Sequence, residues 1–333
     1  MTIRRTRSAA LTVLAASAVL ALAACSSSSP AGGDKPAEAS GTVTITDNHG
    51  EVKVPVNPKK VVALDNHVFE TLSEWDVPLV AAPKGIMGSA FPKYTDDKNV
   101  TDIGSHREPN LEAIVAAQPE LIIGGYRFGE SYDEIKKQNP QATVIEINPR
   151  DGKDTFSELK RESEILGKIF NKEADAKKLN DKLDTAMADA KGAYNGKDTV
   201  MAVNTSAGKI GYIAPGVGRG LGPIFEPLGL KPALEIEGAS NNHQGDDISV
   251  EAIAKSNPEW IIALDRDAAF TPEDREAGSK PAEELIKNSE ALKNVPAVKN
   301  GHVIVLDPNF YLTEDIQTYT ALFEQIKGAF AAA

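Results

Sequence analysis

Two arginines stand at the ends of two segments that repeat each other along the chain. Residues 111–127 read LEAIVAAQPELIIGGYR and residues 250–266 read VEAIAKSNPEWIIALDR, and they align without a gap, so that Arg127 matches Arg266. Each copy predicts a short amphipathic helix, a turn that contains proline and a brief apolar strand. The arginine follows the carboxyl end of the strand, which is the edge where ligands bind in open α/β sheets. The repeat therefore predicts two similar α/β halves that present positive charges to a shared anionic ligand.

A third arginine, Arg219, lies in the glycine-rich turn of residues 215–222, PGVGRGLG. The turn is not a nucleotide-binding loop, because it lacks the GK[ST] ending and the GxGxxG spacing. Glycine-rich backbone before a helix can still bind an anion through free N–H groups. Taken alone, an arginine in a turn is more often simply solvated, so the interpretation of Arg219 depends on the other two arginines.

The rest of the sequence offers no set of residues for catalysis. Its five histidines show neither an HExxH motif nor a paired spacing, which argues against a zinc site built from several histidines. A GxSxG nucleophile motif is also absent. We therefore expect a binding protein and not an enzyme. A secreted hydrolase or a metal-dependent lyase is the alternative from another class, because an α/β fold alone does not exclude it.

The N-terminus has the pattern of a secretory signal. Three arginines within the first seven residues precede a short apolar run, and small residues lead to Cys25, the single cysteine of the chain. The run is too short for an ordinary spanning helix, and Cys25 stands where bacterial lipoproteins carry their lipid. We expect a signal peptide over residues 1–24, a lipidated Cys25 and a flexible tether over residues 25–41; an ordinary signal with a chance cysteine is the alternative. Lipidation would hold the protein outside the cytoplasm, anchored to the bacterial cell membrane without spanning it.

The charge of the chain argues against nucleic acid as a partner. The 333 residues include 36 basic and 48 acidic ones, a net charge of −12. Removal of the signal with its three arginines leaves 33 basic residues and a net charge of −15. Binding to the phosphates of nucleic acid needs a basic surface, which a chain of this charge does not offer. The arginines at the strand ends are local exceptions in an acidic protein.

The length allows two cores, because single cores rarely grow beyond roughly 250–300 residues. We expect α/β lobes over residues 42–170 and 194–333, joined by a linking helix over residues 171–193. The helical stretch of residues 154–191 should break near its middle, with Asn171 as the N-cap of the second helix. The stretch is highly charged, and residues 172–191 would be about 30 Å long at 1.5 Å per residue, which suits a rigid strut between lobes better than a core helix.

This organisation resembles the class III solute-binding lipoproteins of ABC importers for iron siderophores and cobalamin. It is most similar to the binding proteins for catecholate siderophores of the enterobactin and petrobactin type, from about Thr42 to the end of the chain. The resemblance implies two α/β lobes with central parallel-type sheets, one long joining helix and a ligand cleft between the lobes. It also implies that three arginines hold a ferric tris-catecholate: Arg127 after an "IISGR"-like strand, Arg219 in a "GPxSRFG"-like turn and Arg266 after a "VVDRN"-like strand.

The same resemblance implies roles for four further residues. His243 and Tyr311 match positions that complete the iron shell in some relatives when the siderophore offers only four donors. Fe(III) is a hard ion, so a phenolate oxygen is a suitable ligand and imidazole an acceptable one. Glu70 and Glu226 match the acidic residues that dock on the permease. The resemblance implies no intrinsic cofactor, a ferric siderophore as ligand, ABC permease subunits as partners and a monomeric protein.

The chain departs from the family pattern beside two of the arginines. An extra glycine precedes Arg219 and another follows it in place of phenylalanine, while Tyr126 precedes Arg127 where relatives have a small residue. These changes leave haem, cobalamin or a hydroxamate siderophore open as alternative ligands. Hydroxamate complexes carry less negative charge, so they match three arginines less well than a ferric tris-catecholate of charge 3−. Lys84 and Arg107 lie in loops that could face the cleft, although solvated surface is the interpretation we favour for both.

Overall fold

A computed structural model describes residues 41–333. The predicted signal peptide, the predicted lipidation site Cys25 and the predicted tether up to residue 40 lie outside the described residues. Within the described residues, none of the helices combines the length and the apolar character that crossing a bilayer requires.

The strands of residues 41–333 are, in chain order, β1 Thr42–Asp47, β2 Gly50–Pro55, β3 Val61–Ala63, β4 Leu79–Ala82, β5 Thr101–Asp102, β6 Gly104–Ser105, β7 Glu108–Pro109, β8 Leu121–Gly124, β9 Thr143–Glu146, β10 Thr199–Ser206, β11 Lys209–Ile213, β12 Lys231–Pro232, β13 Trp260–Asp265 and β14 Val303–Val305.

The α-helices of the same residues are α1 Phe69–Glu74, α2 Pro92–Thr95, α3 Leu111–Ala116, α4 Tyr132–Gln138, α5 Thr155–Phe170, α6 Glu173–Ala193, α7 Phe225–Leu228, α8 Val250–Ser256, α9 Ala282–Lys287, α10 Pro296–Lys299, α11 Asn309–Thr313 and α12 Ile316–Ala332. Short 3-10 helices occupy Asn66–Val68, Lys84–Ile86, Tyr126–Ser131, Gly222–Ile224 and Asp267–Ala269.

Each half of the described chain is built on one five-stranded sheet. The first sheet is parallel and has the order β5-β4-β3-β8-β9. The second has the order β11-β10-β13-β14, with β12 also paired to β10, and its pairs are parallel except for the β10–β11 hairpin. The repeated strands β8 and β13 are buried along their whole length, as central strands of parallel sheets should be. The predicted α/β fold with a parallel-type sheet in each half is confirmed.

The helices of the repeat begin by the same local chemistry. Asn110 precedes α3 and accepts a hydrogen bond from the backbone N–H of Ala113 at 3.0 Å. Ser249 precedes α8 and accepts the corresponding bond from Ala252 at 3.1 Å. Such N-caps satisfy a donor that the first helical turn leaves free. The two caps occupy equivalent positions of the repeat, so its sequence similarity extends to helix initiation.

The turns after these two helices are also alike. Gln118 and Asn257 both have left-handed backbone, with φ of 48° and 51°, which ends each helix. Glu120 and Glu259 then accept hydrogen bonds at 2.6 and 2.8 Å from the N–H groups that lead into the neighbouring strand. These contacts align β8 and β13 in their sheets. Arg127 and Arg266 therefore lie at the edge of each sheet where the parallel strands end.

The long helical stretch breaks where the sequence predicts, but by other means. α5 ends at Phe170, and Asn171 is its C-cap, with φ of 52° and ψ of 45°. Lys172 takes the N-cap position of α6 and makes no capping bond with its side chain. The prediction that Asn171 caps the second helix is therefore wrong. Asparagine tolerates the left-handed conformation that ends a helix, and Asn171 ends α5 in this way instead of beginning α6.

α6 is a packed helix and not an isolated strut. It lies against α5 and α12, and its buried residues follow a spacing of three and four: Ala176, Leu179, Leu183, Ala186 and Ala190. They belong to one apolar core that also contains Ile123 of the first sheet and Ile262 of the second. The expectation of a strut is wrong because the charged residues occupy only the outer face of α6. The two halves therefore share a core across this helix.

A buried polar cluster, here called the carboxyl cluster, joins elements of both halves. It consists of Asp65 and His67 after β3, Glu162 of α5 and Asp315, the N-cap of α12. Nδ1 of His67 lies 2.7 Å from Oδ1 of Asp65. A carboxylate oxygen of Glu162 lies within 4.8 Å of donor atoms of both residues. The cluster thus links three chain segments at the boundary of the halves.

The pKa values of three groups in the carboxyl cluster are shifted upward, towards their protonated forms. Burial raises the pKa of Glu162 well above its ordinary value, and the charge of Asp65 adds to this shift. Burial lowers the pKa of His67, but the adjacent Asp65 carboxylate raises it, and the resulting shift is upward. Burial raises the pKa of Asp315 to about 6. Because metal ligands must be deprotonated, we interpret the cluster as a set of shared protons and not as a cation site.

We predict that Glu162→Gln flattens the dependence of stability on pH. A carboxyl group whose pKa rises on folding binds more protons in the folded state above its ordinary pKa of 4.5. As the pH rises above the unfolded pKa, such a group lowers the free energy of unfolding by about 1.4 kcal/mol per pH unit, until the pH passes the pKa of the folded state. Glutamine does not titrate, so the variant should gain stability relative to the wild type between pH 5.5 and 7.5. Urea unfolding at the two pH values measures this difference.

The control is Glu164→Gln, on the exposed side of the same helix, which should keep the wild-type pH dependence. A stability difference between Glu162→Gln and the wild type that is equal at both pH values would contradict a raised pKa for Glu162.

Candidate ligand-binding site

Three of the residues predicted from the sequence come together beside the end of β13. The guanidinium carbons of Arg219 and Arg266 lie 4.7 and 5.5 Å from the centre of the Tyr311 ring. Nε of Arg266 donates to the Tyr311 hydroxyl at 3.1 Å. Nη2 of Arg219 donates to the Tyr311 carbonyl at 3.4 Å. The tyrosine is therefore fixed by both guanidinium groups.

The first half adds Tyr126 and Arg127 to this group. The guanidinium carbons of Arg127 and Arg219 lie 5.5 and 5.9 Å from the centre of the Tyr126 ring. The Phe270 ring continues the series, 5.2 Å from the guanidinium carbon of Arg266. Within about 6 Å a guanidinium is attracted to an aromatic face, and more strongly when both are desolvated. We call the whole series the arginine–aromatic ladder: Arg127, Tyr126, Arg219, Tyr311, Arg266 and Phe270.

The turn after β8 forces Tyr126 into its place in the ladder. Gly125 and Tyr126 both have positive φ, 105° and 49°. A Cβ atom at Gly125 would lie 2.2 Å from Oδ1 of Asn148, and φ of 105° is itself strained for any residue with a side chain, so the position favours glycine. Left-handed backbone is unusual for a tyrosine and is retained only when its surroundings hold it. Here the ring contacts Arg219 and, edge-on at 4.5 Å, His67 of the carboxyl cluster.

The glycine-rich turn packs closely before Arg219, and three of its glycine N–H groups are already engaged. A Cβ atom at Gly218 would lie 2.6 Å from the backbone nitrogen of Ala214. The N–H groups of Gly216, Gly218 and Gly222 all donate to carbonyls inside the turn. The expectation that free N–H groups cradle an anion is wrong for these three. The extra glycine is needed because the chain folds closely back on itself before Arg219.

Carboxylates accompany two of the three arginines. Nε of Arg219 donates to Oε1 of Glu314 at 2.6 Å. Nη1 of Arg266 lies 3.0 Å from Oε1 of Glu276 and 3.3 Å from Oδ1 of Asp267. Burial alone would lower the pKa of Arg219, but the Glu314 carboxylate raises it above its ordinary range. Both arginines remain charged, and part of their charge is already balanced.

Arg127 differs from the other two arginines. Within residues 41–333 it makes no ion pair, and its Nε is buried without a hydrogen-bond acceptor. Leaving a buried donor unpaired is costly. Arg127 is therefore the guanidinium of the ladder that gains most from an incoming acceptor.

Two histidines lie within electrostatic reach of the ladder. Partial burial and the charges of Arg266 and Arg219 lower the pKa of His243, which is exposed. Burial and the charge of Arg127 lower the pKa of His106, whose Nδ1 is buried without a partner. Both imidazoles are therefore neutral at pH 7, and the neutral form is the one that ligates metals.

The two glutamates predicted for docking lie in different surroundings. Glu226 of α7 is exposed, whereas Glu70 of α1 is half-buried. Burial and the nearby Asp315 and Glu74 raise the pKa of Glu70 to about 8. Cavities of 190 and 360 Å³ flank Glu70, and no arginine of the ladder lines either of them. The Glu70 carboxyl group therefore carries less than a full negative charge at pH 7.

Sequence reasoning missed several neighbours of the arginines. Tyr126 stood out only as a departure from the family pattern, although its position between a glycine and an arginine after a strand marks a strained turn. Phe270 follows Arg266 by four residues, a spacing that could have suggested contact. Glu276, Glu314 and His106 belong to no motif, because their contacts join segments far apart in the chain.

Comparisons with known proteins add a family to this geometry. A model described as periplasmic binding protein matches residues 61–310. The chain is 32% identical to the petrobactin-binding protein YclQ of Bacillus subtilis (strain 168), over 96% of this chain and 97% of the relative. The crystal structure of YclQ superposes with a TM-score of 0.74 at 28% identity, covering 87% of this chain and 99% of that one.

Two further relatives extend the likeness. The chain is 29% identical to the ferric-anguibactin-binding protein FatB of Vibrio anguillarum, over 81% of this chain and 82% of the relative. The siderophore-binding protein BauB, in a complex with two molecules of acinetobactin and ferric iron, superposes with a TM-score of 0.73 at 26% identity, covering 87% of this chain and 99% of that one. The family resemblance read from the sequence is confirmed, and the chain belongs to the periplasmic binding protein family.

Proposed function

We propose that the protein is a lipid-anchored extracytoplasmic receptor that binds a ferric catecholate siderophore and delivers it to an ABC importer for iron uptake. The arginine–aromatic ladder carries this proposal. A catecholate bound to iron is flat, electron-rich and negatively charged, so it can stack on a guanidinium and also offset its charge. The relatives named for petrobactin and ferric anguibactin support a ferric siderophore as the ligand. The proposed receptor catalyses no chemical change in the siderophore, and it needs no intrinsic cofactor.

Within this proposal, Tyr311 and His243 are direct ligands of Fe(III) when the siderophore supplies only four donors. Tyr311 is held in the ladder with its hydroxyl at Arg266, and a cationic donor at that oxygen suits a phenolate. His243 is neutral at pH 7 because burial and the nearby arginines lower its pKa. Haem, cobalamin and hydroxamate siderophores are the alternative ligands, and an enzyme on this fold is the alternative function.

We predict that Arg127→Gln weakens binding of a ferric tris-catecholate about tenfold, the equivalent of roughly 1.4 kcal/mol. Because Arg127 makes no ion pair within residues 41–333, its substitution leaves no carboxylate unpaired. The change in affinity therefore measures the interaction of Arg127 with the ligand. Quenching of the fluorescence of Trp75 and Trp260 by the coloured complex measures the affinity. Retention of the visible charge-transfer band through gel filtration confirms binding independently.

The control is Lys168→Ala, which removes one positive charge from the exposed side of α5 and should leave the affinity unchanged. If no catecholate complex binds to the wild-type protein, the siderophore assignment fails, and haem and cobalamin become the ligands to test.

We predict that Tyr311→Phe affects the ligand with open iron sites selectively. A ferric bis-catecholate needs two further donors, so loss of the phenol should weaken its binding at least tenfold and shift its charge-transfer band. A tris-catecholate has a complete shell and should lose no more than the hydrogen bond from Arg266, roughly 1 kcal/mol. Equal losses for both complexes, with no shift of the band, would exclude Tyr311 as an iron ligand.

We also propose that Glu226 and Glu70 dock on the permease. Glu226→Lys should lower uptake of radioactive ferric siderophore by cells at least tenfold while its affinity in solution stays unchanged, because the charge that meets the transporter is reversed. Glu70→Lys should lower uptake less, since the Glu70 carboxyl group is partly protonated at neutral pH. Glu237→Lys, at an exposed position, is the control.

Unchanged uptake in the Glu226→Lys cells would contradict this docking pair. Glu112 and Glu251 would then be the next pair to test, because both are exposed and occupy equivalent positions at the start of the repeated helices.

A further inference from the structure

We propose that Asn204 positions His243 for iron, by holding the loop that carries this histidine beside Arg266. The inference rests on the proposed function, in which His243 is a direct ligand of Fe(III), and it adds the residue that places this ligand. Asn204 acts through the backbone of His243 and need not touch the siderophore.

Asn204 is a buried amide with one side-chain hydrogen bond. It lies in β10 and is 2% exposed. Its Nδ2 donates to the carbonyl oxygen of His243 at 2.8 Å, whereas its Oδ1 is buried without a donor. An unpaired buried oxygen is costly, and an apolar side chain of the same size would avoid that cost. Within residues 41–333, the bond to the backbone of His243 is the one side-chain hydrogen bond that offsets it.

The loop of residues 240–246, here called the His243 loop, is closed at its base. The Asp246 carboxylate accepts hydrogen bonds from the N–H and the hydroxyl of Ser240 at 2.9 and 2.6 Å. Asp246 also exchanges two backbone hydrogen bonds of 2.8 Å with Tyr212 of β11. These contacts fix the base of the loop to the second sheet. The bond from Asn204 then fixes its middle, where His243 lies.

The middle of the His243 loop also packs against β11. Gly211 of β11 is paired with Asn204 of β10, and a Cβ atom at Gly211 would lie 2.3 Å from the carbonyl oxygen of Gln244. The residue after His243 therefore lies directly on the backbone of β11, next to the strand that carries Asn204. A rigid strand places a functional side chain more precisely than a free loop can.

A second contact connects the His243 loop to the arginine–aromatic ladder. Nε2 of Gln244 donates to Oε1 of Glu276 at 3.4 Å, and the same oxygen accepts from Nη1 of Arg266 at 3.0 Å. Nε of Arg266 donates to the Tyr311 hydroxyl at 3.1 Å. The two proposed iron ligands are therefore connected to one guanidinium group, Tyr311 directly and His243 through its neighbour in the loop.

A fixed backbone should raise the affinity, because less of the loop has to be ordered when the imidazole binds iron. Ordering the backbone of one residue is equivalent to a factor of about ten in affinity. Asn204→Leu should therefore weaken binding of a ferric bis-catecholate about tenfold. It should also shift the charge-transfer band of that complex in the same direction as His243→Ala does. A tris-catecholate has a complete iron shell and should keep its affinity.

The experiment is a quenching titration of the full chain with both ferric complexes, for the wild type, Asn204→Leu, His243→Ala and the double variant. If Asn204 acts through His243, the double variant should bind the bis-catecholate as weakly as His243→Ala alone, because the two effects are then not additive. Asn139→Leu is the matched control and should change neither affinity. Asn139 is 1% exposed, donates to the Ile135 carbonyl at 2.9 Å and also has a buried Oδ1 without a partner.

The outcomes separate this inference from the proposed function. Equal losses for both complexes on Asn204→Leu, an additive loss in the double variant, or an unchanged affinity for the bis-catecholate overturns the inference and leaves the siderophore assignment standing. If His243→Ala itself leaves binding of the bis-catecholate unchanged, His243 is not an iron ligand, and the inference fails with that part of the proposed function. Failure of both complexes to bind to the wild type overturns the siderophore assignment as well. If Asn204→Leu does not fold, Asn204→Ala removes the same amide without added bulk, with Asn139→Ala as its control.

Discussion

The ladder depends on the apolar core that α5, α6 and α12 share with both sheets. The ladder passes from one half to the other through a single ring contact, between Tyr126 and Arg219 at 5.9 Å. A shift of the halves by one or two ångströms would break this contact. Closely packed cores resist such shifts, because they are not continuously deformable. The shared core therefore presents the arginines at a nearly fixed spacing, and we expect any closure around a ligand to be small.

The carboxyl cluster beneath the ladder is part of the same constraint. His67 contacts Tyr126 edge-on, while Asp315 begins α12 and Glu162 belongs to α5. Were all these carboxyl groups ionised, their repulsion would act at the boundary of the halves. The raised pKa values of Glu162 and Asp315 favour protonated carboxyl groups, which lowers that repulsion in a chain whose net charge is −12. The protein thus combines an acidic composition with a positively charged site by keeping some of its acids neutral or paired.

Much of the fold could be predicted because its signals are local. The repeat predicted the two halves, and periodicity with the proline turns located α3, α8, β8 and β13. Asn171 was misjudged because one residue type can end a helix or begin one, and only the surrounding backbone decides between them. α6 was misjudged because its charged residues are counted along the sequence, whereas its small buried alanines matter only once α12 packs against them.

The site divides in the same way. Arg127, Arg219 and Arg266 could be predicted because each lies at the end of a recognisable local element. The pairing of Arg219 with Glu314 joins residues 95 positions apart, and no pattern in the sequence connects them. Tyr126 stood out in the sequence as a departure from the family pattern. Its contacts with Arg127 and Arg219 could not be predicted, because they depend on the left-handed turn that Gly125 permits next to Asn148.

The shared core has a consequence for how the chain may be cut and joined. The turn at Asn171 is exposed, and the contacts that hold the halves together lie on α5, α6 and α12 and in the carboxyl cluster, not in the peptide link of that turn. Exposed turns with few contacts are where new chain ends are best tolerated. A circularly permuted protein that begins at Lys172 would keep the whole interface, so the order of its segments along the chain is less essential to this fold than their contacts.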